Sequence, residues 1–401
     1  MKLSVLQLCH KPPFPSIDGG CIAMNTVTNG LIEAGCNVKV LTIETTKHKL
    51  EIDKLPKEYI EKSGIESVFV DTTINLVDAF SALVTSDSYN VSRFFSPDFD
   101  RKLIAVLKST KFDVVHLESL FMTPYIGTIR RTSKAKIILR SHNLEYIIWE
   151  NLAKGTKNFP KKTYLKILSS QLKKYELGVL KDVDGIATIS SEDFKKYLSF
   201  KASKPIINIP FGVDLKKYAP GNEIIEPNSV FHIGAMDWAP NVEGVDWFLR
   251  EVWPLVRKKN PEQKFYLAGK AMPKKYTKLE EEGVICLGEV KDAKAFMDSK
   301  SLMVVPLLSA GGIRVKIIEG MAMKKCIVST KTGADGIDYK NGINIHLADN
   351  PEEFANKISE LFNDPAKMKE TAEQARFLAQ NHYDNDLLSR DLLNFYYSII
   401  P

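Results

Sequence analysis

The sequence predicts an α/β protein assembled from two Rossmann-like halves, and three stretches carry that expectation. Near the start, the apolar run Lys2 to Cys9 leads into a proline- and glycine-dense loop, HKPPFPSIDGG. A helix from Cys21 to Ala34 and an apolar run from Asn37 to Ile43 follow. The same order restarts at Val230 to Ile233, where a run is followed by the turn Gly234-Ala235-Met236-Asp237 and a helix from about Val242. It recurs in PLLSAGGIRVKIIEGMAMKKCIVST, Pro306 to Thr330. Short apolar runs bounded by turn residues read as buried strands, and strand, glycine turn, helix, strand is one crossover of a parallel sheet.

The third stretch holds the chemistry. A helix start beside Gly311-Gly312 offers unpaired N–H groups to an anion, with Ile313 as the first helical residue. At 100° per residue Ile313, Ile317 and Met321 share a face for the sheet, while Lys316, Glu319 and Met323 share another on the side of Gly312. A lysine and a carboxylate one turn apart there suit a nucleotide sugar, with lysine on phosphate and glutamate on ribose or sugar hydroxyls. An ordinary surface ion pair at i, i+3 is the alternative.

Bulk properties set the frame. A chain of 401 residues, 44% hydrophobic and 26% charged, is long enough for two or three globular domains. A net charge of +6 suits an anionic ligand or membrane surface without demanding nucleic acid, which is not an expected partner. Cys9, Cys21, Cys36, Cys286 and Cys326 form no CxxC pair and read as buried free thiols in a reducing compartment. MKLSVLQLCH is too short and too quickly polar for a signal peptide, and no 18-residue apolar run exists. A cytoplasmic protein is expected.

Between these landmarks, Gly35 closes the first helix, Glu66 to Val70 reads as a strand, and Asp98 to Lys108 reads as a helix. Asp98-Phe99-Asp100 spells a metal-binding DxD, but after Pro97 these acids read as a helix start. Phe112 to Leu117 and Ala135 to Leu139 are strands, and the second ends in Arg140-Ser141-His142-Asn143. A histidine just past the carboxyl end of a parallel strand sits where α/β proteins bind ligands, which singles out His142, with His10 a lesser candidate. His116 and His232 fall inside strands, and His382 in a polar terminal stretch.

Lys154 to Lys181 holds eight lysines against one acid, Glu176. Leu165, Leu168, Leu172, Tyr175 and Val179 recur at three and four, so one basic amphipathic helix is expected, its basic face either solvated or on anionic lipid. Asp184 to Ser190 is a strand, and Ser191 opens a helix with Glu192 and Asp193 in its first turn. In the second half, strands Lys264 to Leu267 and Val284 to Leu287 end at Gly269 and at Gly288-Glu289-Val290. With Gly234, that puts a glycine at the end of each strand, as at a nucleotide-binding edge. Pro351 to Ile400 reads as three helices.

GGIRVKIIEGMAMKKCIVST resembles the signature helix of retaining family-4 glycosyltransferases of the GT-B fold, with Glu319-Gly320-Met321-Ala322 matching its second half. The double glycine Gly19-Gly20, the Gly35, Val38, Val40, Thr42 strand, the strand-end His142 and IINIPFGVD resemble the same family, in order. The resemblance implies two Rossmann-like domains facing across a cleft. They would be an acceptor-side domain at 1–205, a nucleotide-sugar domain at 206–380, and a helix at 381–401 crossing back to the first. It implies a hexosyltransferase moving a sugar from a UDP- or GDP-type donor, with retention, to a glycan or lipid-linked acceptor in surface-polysaccharide synthesis. No cofactor and no metal are expected, and contact is expected at the inner membrane face through 154–181.

His142, Lys316, Glu319 and Arg314 are expected to serve the reacting groups. Gly19, Gly20, Gly234, Asp237, Gly288, Glu289, Val290, Gly311, Gly312 and Ile313 are expected to serve the donor. Two departures stand out. Gly311 replaces the family's first glutamate, and Met236 stands at its diphosphate arginine, with no lysine at 241–244. Arg314 and Lys316 are expected to restore that charge; an ideal helix points Arg314 away from Lys316, so it must act from the irregular first turn. A nucleotide-sugar 2-epimerase or a non-catalytic scaffold on the same fold are the alternatives.

Overall fold

Alternation in the apolar runs becomes two doubly covered parallel sheets in the computed structural model, which describes residues 2–15, 18–72, 89–200, 204–277, 279, 283–309 and 312–400. The chain divides into two units, Met1–Pro210 with Leu388–Pro401, and Phe211–Leu387. In the first, β1 (Ser4–Cys9), β2 (Asn37–Glu44), β3 (Glu66–Phe69), β4 (Val114–Glu118), β5 (Lys136–Ser141), β6 (Gly185–Thr188) and β7 (Ile206–Asn208) form a seven-stranded sheet. The order is β3-β2-β1-β4-β5-β6-β7, and every pairing is parallel. Successive residues serve opposite faces. Leu6, Leu41, Val115, Ile137 and Ile186 join one buried cluster, and Val5, Val40, Val114, Ile138 and Ala187 the other.

The second unit repeats the plan with β8 (Glu226–Ile233), β9 (Lys264–Ala268), β10 (Val284–Gly288), β11 (Lys300–Val305), β12 (Cys326–Ser329) and β13 (His346–Leu347). These run β10-β9-β8-β11-β12-β13, again all parallel. Strand order reverses between β1 and β4 in one sheet and between β8 and β11 in the other. Ligands of open α/β sheets bind outside the carboxyl ends of strands at such reversals.

Several expected limits shift for local reasons. The first unit runs to Pro210 rather than 205, because Ile206–Asn208 pairs in register with β6. Residues 381–387 stay with the second unit, where Val213 N–H donates to the Tyr383 carbonyl at 2.7 Å and Asn385 N–H to the Val213 carbonyl at 3.1 Å. The helix Asn385–Ile399 places Leu388, Leu392, Phe395 and Tyr396 in the first unit's core.

The basic stretch is two helices, not one. Glu145–Gly155 ends at its glycine, and Phe159–Val179 starts afresh with Pro160 in its first turn and the Asn158 side chain accepting from Lys161 N–H at 3.0 Å. Fully buried Glu176 locks the two together by accepting from the Glu145 and Tyr146 N–H groups, each at 3.2 Å. The DxD acids lie in the first turn of Pro97–Ser109, capped by Ser96, and Asp98 pairs with Arg101. All five cysteines are free, and only Cys286 is not buried.

Candidate active site

Lys316 is the centre of the second unit's candidate site. It lies in the helix Val315–Ala322, which follows β11, and its Nζ reaches back over the end of β8. There it donates to Asn241 Oδ1 at 2.9 Å and lies 3.5 Å from His232 Nε2. The Asn241 amide is itself held by the Ala235 carbonyl at 2.8 Å, and His232 Nδ1 by the Val304 carbonyl at 2.9 Å. Burial, then the charge of Lys316, keeps His232 well below its usual pKa, so it meets the lysine as a neutral acceptor. Among the described residues no carboxylate lies within ion-pair distance of Lys316. Burial, with Arg314 adding to it and Glu319 opposing, lowers its pKa to about 7. A half-buried ammonium held by neutral groups is chemically able to take an anion.

Glycines make the room. A Cβ on Gly234 would lie 2.5 Å from Lys316 Nζ and 2.8 Å from Asn241 Nδ2. Next door, Gly269 N–H donates to the Gly288 carbonyl at 2.7 Å and Gly234 N–H to the Ala268 carbonyl at 3.1 Å. The ends of β8, β9 and β10 therefore form one continuous glycine edge. Glu289 is exposed and Val290 half-buried just beyond it.

Arg314 stands outside the helix as its N-cap, with φ −87° and ψ 92°. The extended backbone frees it from helical geometry, and its guanidinium lies 5.4 Å from the centre of the Trp238 ring, in the turn after β8. It donates to the Gly312 carbonyl, while its Nε is buried without a partner among the described residues. Met236, at the expected arginine position, is core, with 2% exposure. Gly312 has φ +80° and is exposed, Ile313 is half-buried, and Gly311 lies outside the described residues.

Glu319, half-buried on the helix, is hydrogen-bonded by Tyr218. Burial raises its pKa, against Tyr218 and Lys217. Asp237 does not join this group. The turn that sends Met236 inward leaves Asp237 exposed on a groove of about 640 Å³ with Glu243, Asp246 and Arg250. Three acids on one groove disfavour a diphosphate there.

In the first unit Gly19 and Gly20 are not a loop but the first turn of the helix Gly19–Glu33. Asp18 caps that helix by accepting from Cys21 N–H at 2.9 Å and is paired to Lys11 at 2.7 Å. Burial opposes ionisation of Asp18, but Lys11 and the Cys21 N–H outweigh it and hold the carboxyl well below its usual pKa.

His142 follows β5 and bonds through Nε2 to Glu118 Oε2 at 2.7 Å. His10, past β1, bonds through Nδ1 to the Glu118 carbonyl at 3.1 Å. Glu118, the last residue of β4, is wholly buried, and Ser119 after it has φ +81°, an uncommon conformation for a residue with a side chain. Sequence reading missed Glu118, Asn241 and Tyr218 and set His232 aside. The available signal was the placing of Glu118 at the carboxyl end of a strand next to the sheet's reversal.

Residues 19–217 match the family described as Glycosyltransferase Family 4, and residues 227–364 the family described as Glycosyl transferases group 1. The chain is therefore a glycosyltransferase of the GT-B fold. It belongs to the glycosyltransferases that join a family 4 domain to a group 1 domain.

It is similar, at 23% identity over 93% of this chain and 94% of the other, to an uncharacterized 44.6 kDa protein in the cps region of Klebsiella pneumoniae. Its fold is similar to that of HepE from Anabaena, solved in complex with UDP, with a TM-score of 0.64 and 14% identity over 99% of this chain and 100% of that one. Sucrose-phosphate synthase from Thermosynechococcus elongatus is also similar, with a TM-score of 0.67 and 15% identity over 99% of both chains.

Proposed function

We propose that the protein transfers a hexose from a nucleotide-diphosphate sugar, with retention at the anomeric carbon, to a glycan or lipid-linked acceptor in cell-surface polysaccharide synthesis. The observation that carries this is Lys316, a half-buried cation with neutral partners beside a glycine edge. HepE complexes with UDP and with UDP-glucose support a UDP-type donor, and a GDP-type donor is the second possibility. The relative from a cps region supports the polysaccharide pathway.

Lys316, Arg314 and the backbone N–H groups at Gly312-Ile313 hold the diphosphate of the donor. Glu319 holds the ribose, the backbone at Gly288-Glu289-Val290 holds the base, and His142 a sugar hydroxyl. The bond from the anomeric carbon to the phosphate oxygen breaks as the acceptor oxygen bonds to that carbon on the same face. The acceptor's proton goes to the departing phosphate, so no protein carboxylate is needed as base and no metal is required. Chelator leaves turnover intact on this reading.

Glu319→Gln tests the ribose contact. Losing a charged hydrogen bond to a hydroxyl costs about 1.5–3 kcal/mol, or roughly ten- to a hundred-fold in kcat/KM. The variant is expected to fold as wild type, and unchanged kinetics would remove Glu319 from the site.

No helix among the described residues is long and apolar enough to cross a membrane. Contact with a lipid-linked acceptor at the cytoplasmic face is assigned to the helices Glu145–Gly155 and Phe159–Val179. These expose Ile148, Leu152, Phe159, Tyr164 and Ile167 among the lysines, with Phe159 78% exposed. Apolar side chains beside cations match an anionic bilayer surface, at about 1 kcal/mol per lysine. Co-sedimentation with anionic vesicles is expected in 0.1 M salt and lost at 1 M, as the Debye length falls from about 10 Å to about 3 Å. Reversing Lys157, Lys161 and Lys166 to glutamate should abolish it. Wild type left in the supernatant at low salt would assign the acceptor to solution.

A further inference from the structure

Glu118 holds two histidines in opposite ways. Its side-chain Oε2 meets Nε2 of His142 at 2.7 Å, while its main-chain carbonyl meets Nδ1 of His10 at 3.1 Å. Its other oxygen accepts from Gln7 Nε2 at 2.9 Å, with His116 Nε2 at 3.3 Å, and Arg140 Nη1 stands 3.5 Å from Oε2. His116 is fixed from behind by the Tyr396 hydroxyl at 2.6 Å from its Nδ1. Burial alone would raise the Glu118 pKa, but Arg140, His116 and His142 outweigh it and hold the carboxyl well below its usual range. Glu118 is an ionised, buried acceptor.

A carboxylate and a carbonyl can only accept, so each imidazole must turn an N–H toward Glu118. Burial keeps both rings neutral. It lowers the pKa of His142 against the pull of Glu118, and that of His10 to about 3 with help from His142 and Lys11. A neutral ring has one proton. The remaining nitrogens, Nδ1 of His142 and Nε2 of His10, therefore carry lone pairs. The two rings stand edge to face with centres 5.8 Å apart, just beyond β1 and β5.

We propose that Glu118 is a positioning residue that fixes His142 as the Nε2–H tautomer and His10 as the Nδ1–H tautomer, making the pair an acceptor-only site for neutral hydroxyl groups that excludes phosphate. The sugar as occupant rests on the donor assignment above; the tautomers do not. An imidazolium here would attract the diphosphate, whereas two lone pairs repel it and select the proton-donating hydroxyls of a pyranose.

The test is a long-range proton–nitrogen correlation spectrum of the full-length protein labelled with ¹⁵N-histidine, assigned with His10→Asn and His142→Asn. Two neutral rings of opposite tautomer at pH 7 are expected. An imidazolium at either position, or the same tautomer at both, overturns the proposal without recourse to any variant. In Glu118→Gln an amide N–H can face His142, and its tautomer is expected to invert; an unchanged tautomer in the folded variant removes Glu118 from the role.

Ligands then separate the two readings. UDP-glucose or GDP-mannose should move the His142 Nδ1 resonance, and inorganic phosphate should not. A shift with phosphate overturns the acceptor-only site. Correct tautomers with both rings unmoved by either nucleotide sugar would keep the Glu118 lock and sink the donor-sugar role of His142.

Discussion

Lys316→Met is expected to lower kcat/KM about a hundred- to a thousand-fold, the loss seen when a preorganised donor is removed from developing negative charge. Methionine preserves the stem between Gly234 and Asn241 and deletes only the ammonium, so folding should survive. The pH dependence gives the loss a signature. In the free protein Lys316 is lowered to about 7, so it loses its charge as pH rises through neutrality. A bound diphosphate favours the charged form, so binding above pH 7 must take up a proton. Affinity for a nucleoside diphosphate should then fall by up to about tenfold per pH unit above neutrality and level off below it. Lys316→Met should remove that slope. Wild-type affinity flat from pH 6 to 8.5 would place the phosphate elsewhere.

Gly269→Ala is expected to be the most damaging single methyl group in the second unit. Its Cβ would lie 1.7 Å from the Gly234 carbonyl oxygen, at φ +155°, so the turns after β8 and β9 must move apart. Displacing packed backbone belongs among the largest single-residue effects, above about 3 kcal/mol. Gly288→Ala is the control. It also has positive φ, +65°, but nothing lies within 4 Å of its Cβ, and backbone strain alone costs about 1–2 kcal/mol. Denaturant unfolding should rank the two clearly, and equal midpoints would mean that the glycine edge is not close-packed.

Much of this was readable from the chain, and the rest was not for definite reasons. Strands and strand-end glycines are local signals, so Gly234, Gly269 and Gly288 were visible as a set. Lys316 and Glu319 were visible because one helical turn brings them together. An ideal helix points Arg314 away from Lys316, so the residue has to act from an irregular first turn, and its extended backbone at the N-cap is that irregularity. The single basic helix failed at Gly155 and Pro160, where punctuation in the sequence outweighs the run of lysines.

Asp237 looked like part of the edge because it belongs to the right turn. Which side chains of a turn point inward is decided by the core, and the core took Met236. Glu118 was the largest omission. Inside VVHLE it looks like any polar residue in a strand, and its meaning comes from His10, Arg140 and His142, which arrive from β1 and β5. Register across a parallel sheet, not periodicity along one strand, gathers those groups.

Thermal unfolding with UDP, GDP, ADP and their sugars, on wild type and Lys316→Met side by side, tests whether a diphosphate binds on Lys316. A ligand held by the folded state raises its midpoint by mass action. One nucleotide should raise the wild-type midpoint, and the variant should not respond to it. A wild type indifferent to every nucleotide, or a variant that responds equally, would mean that no diphosphate is held by Lys316.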